Sequence, residues 1–178
     1  MGGYSIMRIM GIDPSLSSTG YAIISGVGKD TKIIRSGSIK TTPKDGETET
    51  RINTIADEVT KKIIDCCTDY IVIERPAFGM GNGVKSTQDL AGLYYVLLCR
   101  FIRMGFLVVP VMPSQWKSIV GVKGKDRKEQ KQSAINLVKQ VYNRDVETND
   151  ESDSICIALY GSLLEIETER RHRKWKKN

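Results

Sequence analysis

Asp13, Glu74, Asp150 and Asp153 are the residues whose type and setting could do chemistry in this chain. Asp13 follows the apolar run Ile9-Met10-Gly11-Ile12, and Glu74 follows Ile71-Val72-Ile73. Asp150 and Asp153, three positions apart, open an apolar helical pattern that puts both on one face. An acid directly behind an apolar run sits at the edge of a core, where an unpaired charge is costly. Carboxylates gathered from two strand ends and a helix start repel unless a cation neutralises them, and hard oxygen donors suit Mg²⁺ or Mn²⁺. Such a site suits two ions about 3.5–4 Å apart, one lowering the pKa of an attacking water and one stabilising a leaving 3′ oxygen at a phosphodiester. That chemistry requires no histidine. Each acid also has a structural reading: Asp13 capping the turn at Pro14, Asp150 as a helix N-cap, and Glu74 paired with Arg75 or a remote lysine. Glu151 competes for the third position, but lies about 100° around the helix from Asp150.

The elements that must position these acids follow from periodicity. Apolar, β-branched residues at Ile6–Ile12 and Gly20–Ile24 flank the polar turn Asp13–Thr19, which predicts a hairpin, and Ile33, Gly37 and Ile39 add a weaker third strand. A polar loop with Pro43 and Gly46 precedes a helix of about four turns marked by Ile52, Ile55, Ala56, Val59 and Ile63. Tyr70–Ile73 is a strand ending at Glu74, followed by a glycine-rich loop over Pro76–Gly83 and a helix marked by Leu90, Leu93, Tyr94, Leu97 and Phe101. Phe106–Met112 is a strand closed by Pro113, with a single helical turn expected in Ser114–Lys117. Ala134, Leu137, Val138 and Val141 mark another helix, and Ile155, Ala158, Leu159 and Leu163 a last one starting near Asn149 or Asp150. Antiparallel strands first and strand–helix alternation later predict an α/β fold, a mixed five-stranded sheet with helices on both faces.

The 178 residues fit one domain, expected over 1–168, with a basic tail over 169–178. The net charge of +6 is unevenly spread. Arg170, Arg171, Arg173, Lys174, Lys176 and Lys177 crowd the tail, and Lys117, Lys123, Lys125, Arg127, Lys128 and Lys131 form a second cluster broken by Asp126 and Glu129. Such clusters are either solvated surface or the footprint of a polyanionic partner. No apolar run is long enough to span a membrane, and no secretory signal is legible, so a cytoplasmic location is expected. Cys66, Cys67, Cys99 and Cys156 lack metal-binding spacing and read as reduced, mostly buried thiols, which leaves oxygen as the expected metal donor.

The blocks Ile9-Met10-Gly11-Ile12-Asp13-Pro14-Ser15 through Thr19-Gly20-Tyr21-Ala22, Ile71-Val72-Ile73-Glu74, Val111-Met112-Pro113-Ser114-Gln115-Trp116-Lys117 and Asp150-Glu151-Ser152-Asp153 stand in an order that resembles the RuvC-type Holliday junction resolvases. The resemblance covers nearly the whole chain. It implies a ribonuclease H-like fold and a homodimer that makes paired, Mg²⁺-dependent nicks in four-way or other branched DNA. It also implies Asp13, Glu74, Asp150 and Asp153 as metal ligands and Lys128, with Lys125 as its rival, as the contact to the scissile phosphate. Lys117, Lys123 and Arg127 are further candidate DNA contacts. Two positions depart from the family pattern. Ser15 stands where glycine is usual, and Ala77 takes the place of an aromatic residue displaced to Phe78, a candidate for stacking on an unpaired base.

The same Asp13–Gly20 turn is similar to the first phosphate loop of actin-like kinases, but 178 residues leave no room for their second loop and adenosine pocket. A non-catalytic branched-DNA-binding protein is the alternative from another class, although four gathered acids would repel its ligand. An RNA-directed member of the superfamily is the third. The compact, lysine-rich chain leans towards a phage origin.

Overall fold

The computed structural model describes residues 7–28, 30–76 and 84–175, with the side chains of Val84 and of residues 165–175 left aside. Alternation of side chains along each strand divides the interior into two cores. Strand β1 (Arg8–Asp13) pairs antiparallel with β2 (Ser18–Ser25), which pairs antiparallel with β3 (Lys32–Lys40). On its other side β1 runs parallel to β4 (Tyr70–Glu74), and β4 runs parallel to β5 (Leu107–Val111). The sheet order is β3-β2-β1-β4-β5, the mixed five-stranded arrangement that the sequence predicts.

Met10, Ile12, Ile71 and Ile73 face helices α1 (Thr48–Asp65) and α2 (Val84–Arg103), packing with Ile55, Val59, Ile63, Leu93, Leu97 and Phe101. Ile9, Tyr70 and Val72, at the alternate positions, face α3 (Pro113–Val120), α4 (Arg127–Tyr142) and α5 (Asn149–Trp175). Parity therefore assigns Asp13 and Glu74 to the same face as Ile9 and Val72, the face that α5 covers.

Several expectations need correction. The segment after Pro113 is a helix of eight residues, not one turn. Pro113 starts it without loss, because the first helical N–H has no partner in any case, and Gly121 ends it in the left-handed region at φ 91°. Helix α1 begins at Thr48, so it is longer than the apolar stripe alone indicates. Val141 is 39% exposed, and the buried face of α4 is Ala134 and Val138. Cys66 and Cys156 are buried, but Cys67 and Cys99 are exposed. Ala77 and Phe78 lie outside the described residues. Among the described residues no helix is long and apolar enough to cross a membrane.

Helix α5 lies unusually close to the sheet because glycine occupies the contact positions. A Cβ on Gly11 would stand 2.2 Å from the Ser154 carbonyl oxygen and 2.4 Å from the Ala158 nitrogen. One on Gly20 would stand 2.0 Å from the Asp150 carbonyl oxygen. Backbone is the obstacle in both cases, so no side-chain rotation relieves it. Gly11→Ala is expected to destabilise the fold by about 1–3 kcal/mol in urea unfolding, whereas a loss under about 0.5 kcal/mol would contradict this packing.

Candidate active site

The four acids meet through the register of the strands. Ile12 pairs with Ile73, so Asp13 and Glu74, one residue further along parallel neighbours, leave the sheet at the same edge and on the same face. Asp13 also pairs with Gly20 across the antiparallel ladder, and the missing side chain of Gly20 lets the first turn of α5 rest there, with Asp150 against it. Asp153 follows one turn later on that helix. The carboxylates line a narrow cavity of about 110 Å³ together with Lys117, Arg127, Gln130 and Lys131. A broader groove of about 750 Å³ shares Asp13, Glu74, Asp150 and Arg127 with it, and continues past Ser15, Ser17, Arg51, Lys85 and Ser86.

The structural readings of these acids are answered by other residues. The Asp13–Thr19 turn is held by Thr19, whose hydroxyl donates to the Ser15 carbonyl at 2.7 Å and accepts from the Ser15 N–H at 3.2 Å. Thr148, not Asp150, caps α5, its Oγ1 accepting from the Glu151 N–H at 3.1 Å. Glu151 points away from the cavity. Its carboxylate accepts from Ser36 Oγ at 2.6 Å, Arg144 Nη2 at 3.3 Å and the Glu147 N–H at 2.9 Å, tying the start of α5 to β3 and to the loop before it. Among the described residues no lysine or arginine forms a salt bridge with Asp13, Glu74, Asp150 or Asp153.

Burial without such partners perturbs the acids. Asp13 is pushed well above the ordinary carboxylate range by desolvation and then by the charges of Glu74, Asp153 and Asp150, with Lys117 opposing. Desolvation raises Glu74 to about 7, against the hydrogen bond from Trp116. Asp153 is raised to about 6, again by desolvation, with Lys117 and Lys131 opposing. Among the described residues no group of three or more acid, thiol or imidazole side chains is arranged as it stands to hold a metal ion. The donor set nevertheless fits a hard divalent cation, since every acidic group at the cavity is a carboxylate and the charges repel one another.

The basic residues divide by position. Lys117 and Arg127 reach the acid cavity, whereas Lys128 lines an adjoining hollow of about 400 Å³ with Arg127, Lys131, Gln132, Ile135 and Asn149. Lys123 and Lys125 are exposed in the loop before α4, outside the acid cavity. The two acids that interrupt this cluster serve the helix: Asp126 accepts from the Glu129 N–H at 2.9 Å, and Glu129 accepts from the Lys125 N–H at 2.8 Å. Sequence reasoning includes Lys131 in the basic cluster without assigning it to the site, and misses Arg51 and Trp116 as members of it. Lys131 stands four residues after Arg127, a spacing that places both on one helix face and could have revealed it. Arg51 donates to the Leu16 and Thr41 carbonyls at 3.0 and 3.2 Å and to Thr41 Oγ1 at 3.0 Å, bracing the Asp13 turn from outside. No local signal marks Arg51, because its partners are distant in sequence.

A mixed five-stranded sheet with acids at the ends of the neighbouring inner strands β1 and β4 and at the start of a covering helix is a ribonuclease H-like fold. The family model described as "Crossover junction endodeoxyribonuclease RuvC" matches residues 9–160. The chain belongs to the RuvC family. It is 30% identical over 153 residues to the crossover junction endodeoxyribonuclease RuvC of Burkholderia mallei, covering 86% of this chain and 82% of that protein. Its fold is similar to that of T. thermophilus RuvC, solved in complex with a Holliday junction substrate, with a TM-score of 0.72 at 16% identity over 86% of this chain and 92% of that one. The yeast mitochondrial Holliday junction resolvase has a TM-score of 0.65 at 15% identity, over 98% of this chain and 87% of that one.

The raised acids carry a stability consequence. Glu74 and Asp153 hold protons in the folded protein, up to about 7 and 6, that the unfolded chain releases near 4.5 and 3.8. Folding therefore takes up protons in that window, and stability in chelator falls as pH rises from about 4 to about 7. Thermal unfolding in EDTA should show this fall, and it should be blunted in the Glu74→Gln, Asp153→Asn double variant. An equal pH slope in the two proteins would contradict the burial of these acids.

Proposed function

We propose that this protein is a structure-selective endonuclease that resolves four-way and other branched DNA by metal-dependent phosphodiester hydrolysis, making paired nicks as a homodimer. The observation that carries this reading is the convergence of Asp13, Glu74, Asp150 and Asp153 on one cavity rimmed by Lys117, Arg127 and Lys131. In this reading the four carboxylates hold the divalent ions, Mg²⁺ with Mn²⁺ as a substitute and two per site. Bound there, divalent metal supplies the charge stabilisation that in-line displacement at a phosphodiester demands.

The chain's own residues do the rest. Lys117 and Lys131 offset the acids' mutual repulsion and offer cations to a phosphate entering the cavity. Lys128 and Arg127, at the adjoining hollow, meet a phosphate of the scissile strand or its neighbour, and Lys123 and Lys125 extend the basic track along the loop. The broad groove past Ser15, Arg51 and Lys85 gives the duplex arm a path to the acids. A duplex carries about one negative charge per 1.7 Å of axis, so contacts of this kind make affinity fall steeply with salt. Phe78 stacks on an unpaired base at the junction centre, and residues 169–178 add sequence-independent phosphate contacts through their basic side chains.

A homodimer is supported by α2. Tyr95, Cys99 and Ile102 recur at helical spacing on its outer face, with Tyr95 57% and Ile102 56% exposed, and Leu107 nearby on β5 is 63% exposed. Apolar surface of this kind is what a partner copy covers. Two copies place two cavities on one junction, which opposing-strand nicks require.

Labelled four-way junction, linear duplex and RNA–DNA hybrid, each incubated with Mg²⁺ or with EDTA, test the reading. The expected result is symmetric nicks in opposing strands of the junction, abolished by EDTA and slowed at least about 100-fold in Asp153→Asn. Cutting that survives EDTA would overturn the metal mechanism. Junction binding with no cleavage under any divalent ion would make the protein a binding module, and equal cutting of hybrid and junction would remove junction resolution.

A further inference from the structure

Trp116 is fully buried on α3, and its one polar atom is turned towards the acid cavity: the indole Nε1–H donates to Oε2 of Glu74. Among the described residues this is the sole hydrogen bond to that carboxylate. The ring is fixed on several sides. It packs in the core with Val111, Val122, Ala134 and Val138, and Pro113 starts its helix three residues earlier. Lys117 Nζ lies 5.4 Å from the ring centroid and donates to Gln130 Oε1 at 3.1 Å, linking α3 to α4 at the cavity wall.

An indole N–H is a donor only, so it restrains a carboxylate without ever titrating, accepting a proton or competing for a cation. A lysine in the same place would do all three. We propose that Trp116 is a positioning residue for Glu74. It holds Oε2, leaves Oε1 as the oxygen available to the cavity, and so sets the affinity of the acid cluster for a divalent ion. This rests on the reading of that cluster as the divalent-ion site. Groups that hydrogen-bond to a metal's ligands commonly govern affinity by 10–100-fold, because they fix the orientation in which the ligand is presented.

Mn²⁺ binding, followed by the electron paramagnetic resonance of the free ion, is the direct test, with full-length wild-type, Trp116→Phe and Asp153→Asn proteins and no DNA. Trp116→Phe retains an aromatic ring and removes the donor, and is expected to weaken Mn²⁺ binding about tenfold. Thermal unfolding of the same samples separates packing from positioning, since a merely structural role lowers the melting temperature and leaves Mn²⁺ affinity where it was. The wild-type protein supplies an independent readout through ¹⁵N-tryptophan labelling. The Trp116 indole resonance, identified as the one retained in Trp175→Phe, should move when Mg²⁺ is added and should differ in Glu74→Gln.

Mn²⁺ affinity in Trp116→Phe within about twofold of wild type, with Asp153→Asn clearly weakened, would overturn the positioning role and leave the ion site standing. An indole resonance indifferent to both Mg²⁺ and Glu74→Gln would overturn it equally. Undiminished Mn²⁺ binding by Asp153→Asn would remove the ion site itself, and the proposal with it.

Discussion

The close seating of α5 on β1 and β2 is the constraint on which the rest of the molecule depends. Gly11 and Gly20 let the backbone of α5 meet the strands directly, Gly161 makes room on the helix for the Ile9 and Val72 side chains, and each added Cβ would meet a neighbour at 2.7 Å or less. Here the backbone of α5 reaches the strands, and its first turn arrives beside the end of β1. Four charges that repel one another are therefore brought together by packing elsewhere, not by any attraction among themselves. The apolar residues Ile155, Ile157 and Ala158 bury behind them and stabilise the arrangement.

That packing places a destabilising cluster at the edge of the core, and the surroundings limit its cost. Lys117, Arg127 and Lys131 border the carboxylates without closing salt bridges onto them, so the acids stay available to a cation and the lysines to a phosphate. Direct ion pairs would quench both. Trp116 adds a restraint that carries no charge. Glu151, inside the acidic run yet turned to Ser36 and Arg144, anchors the helix start from the opposite side and keeps that turn from drifting off the sheet. Neighbouring acids thus serve opposite purposes, decided by which side of the helix each one faces.

Much of this was legible in the sequence because it is written in local periodicity. Short apolar runs over Ile9–Ile12 and Tyr70–Ile73 identify the strands and put the acids directly behind them at an edge, and the three-residue spacing of Asp150 and Asp153 puts them on one face. Convergence of all four is implied once the strands are parallel neighbours. What stayed hidden depends on contacts between distant segments. The indole of Trp116 meets Glu74 across 42 residues, and Arg51 reaches Leu16 across 35. The eight-residue α3 exceeds the single turn that the sequence predicts, because Pro113 reads as a strand stop although it is equally a helix start. Cys99 lies in an apolar helical pattern and so reads with the mostly buried thiols, but it falls on the side of α2 away from Leu97 and Phe101 and is exposed.

Anomalous scattering from crystals of the protein grown with Mn²⁺ bears most directly on the central claim, that the α5–sheet contact builds a divalent-ion site from Asp13, Glu74, Asp150 and Asp153. The account predicts manganese peaks bounded by oxygens of these four side chains, at about 2.0–2.6 Å as for hard divalent cations. Manganese ordered elsewhere on the molecule, with the four carboxylates occupied only by Lys117 and Lys131, would contradict it.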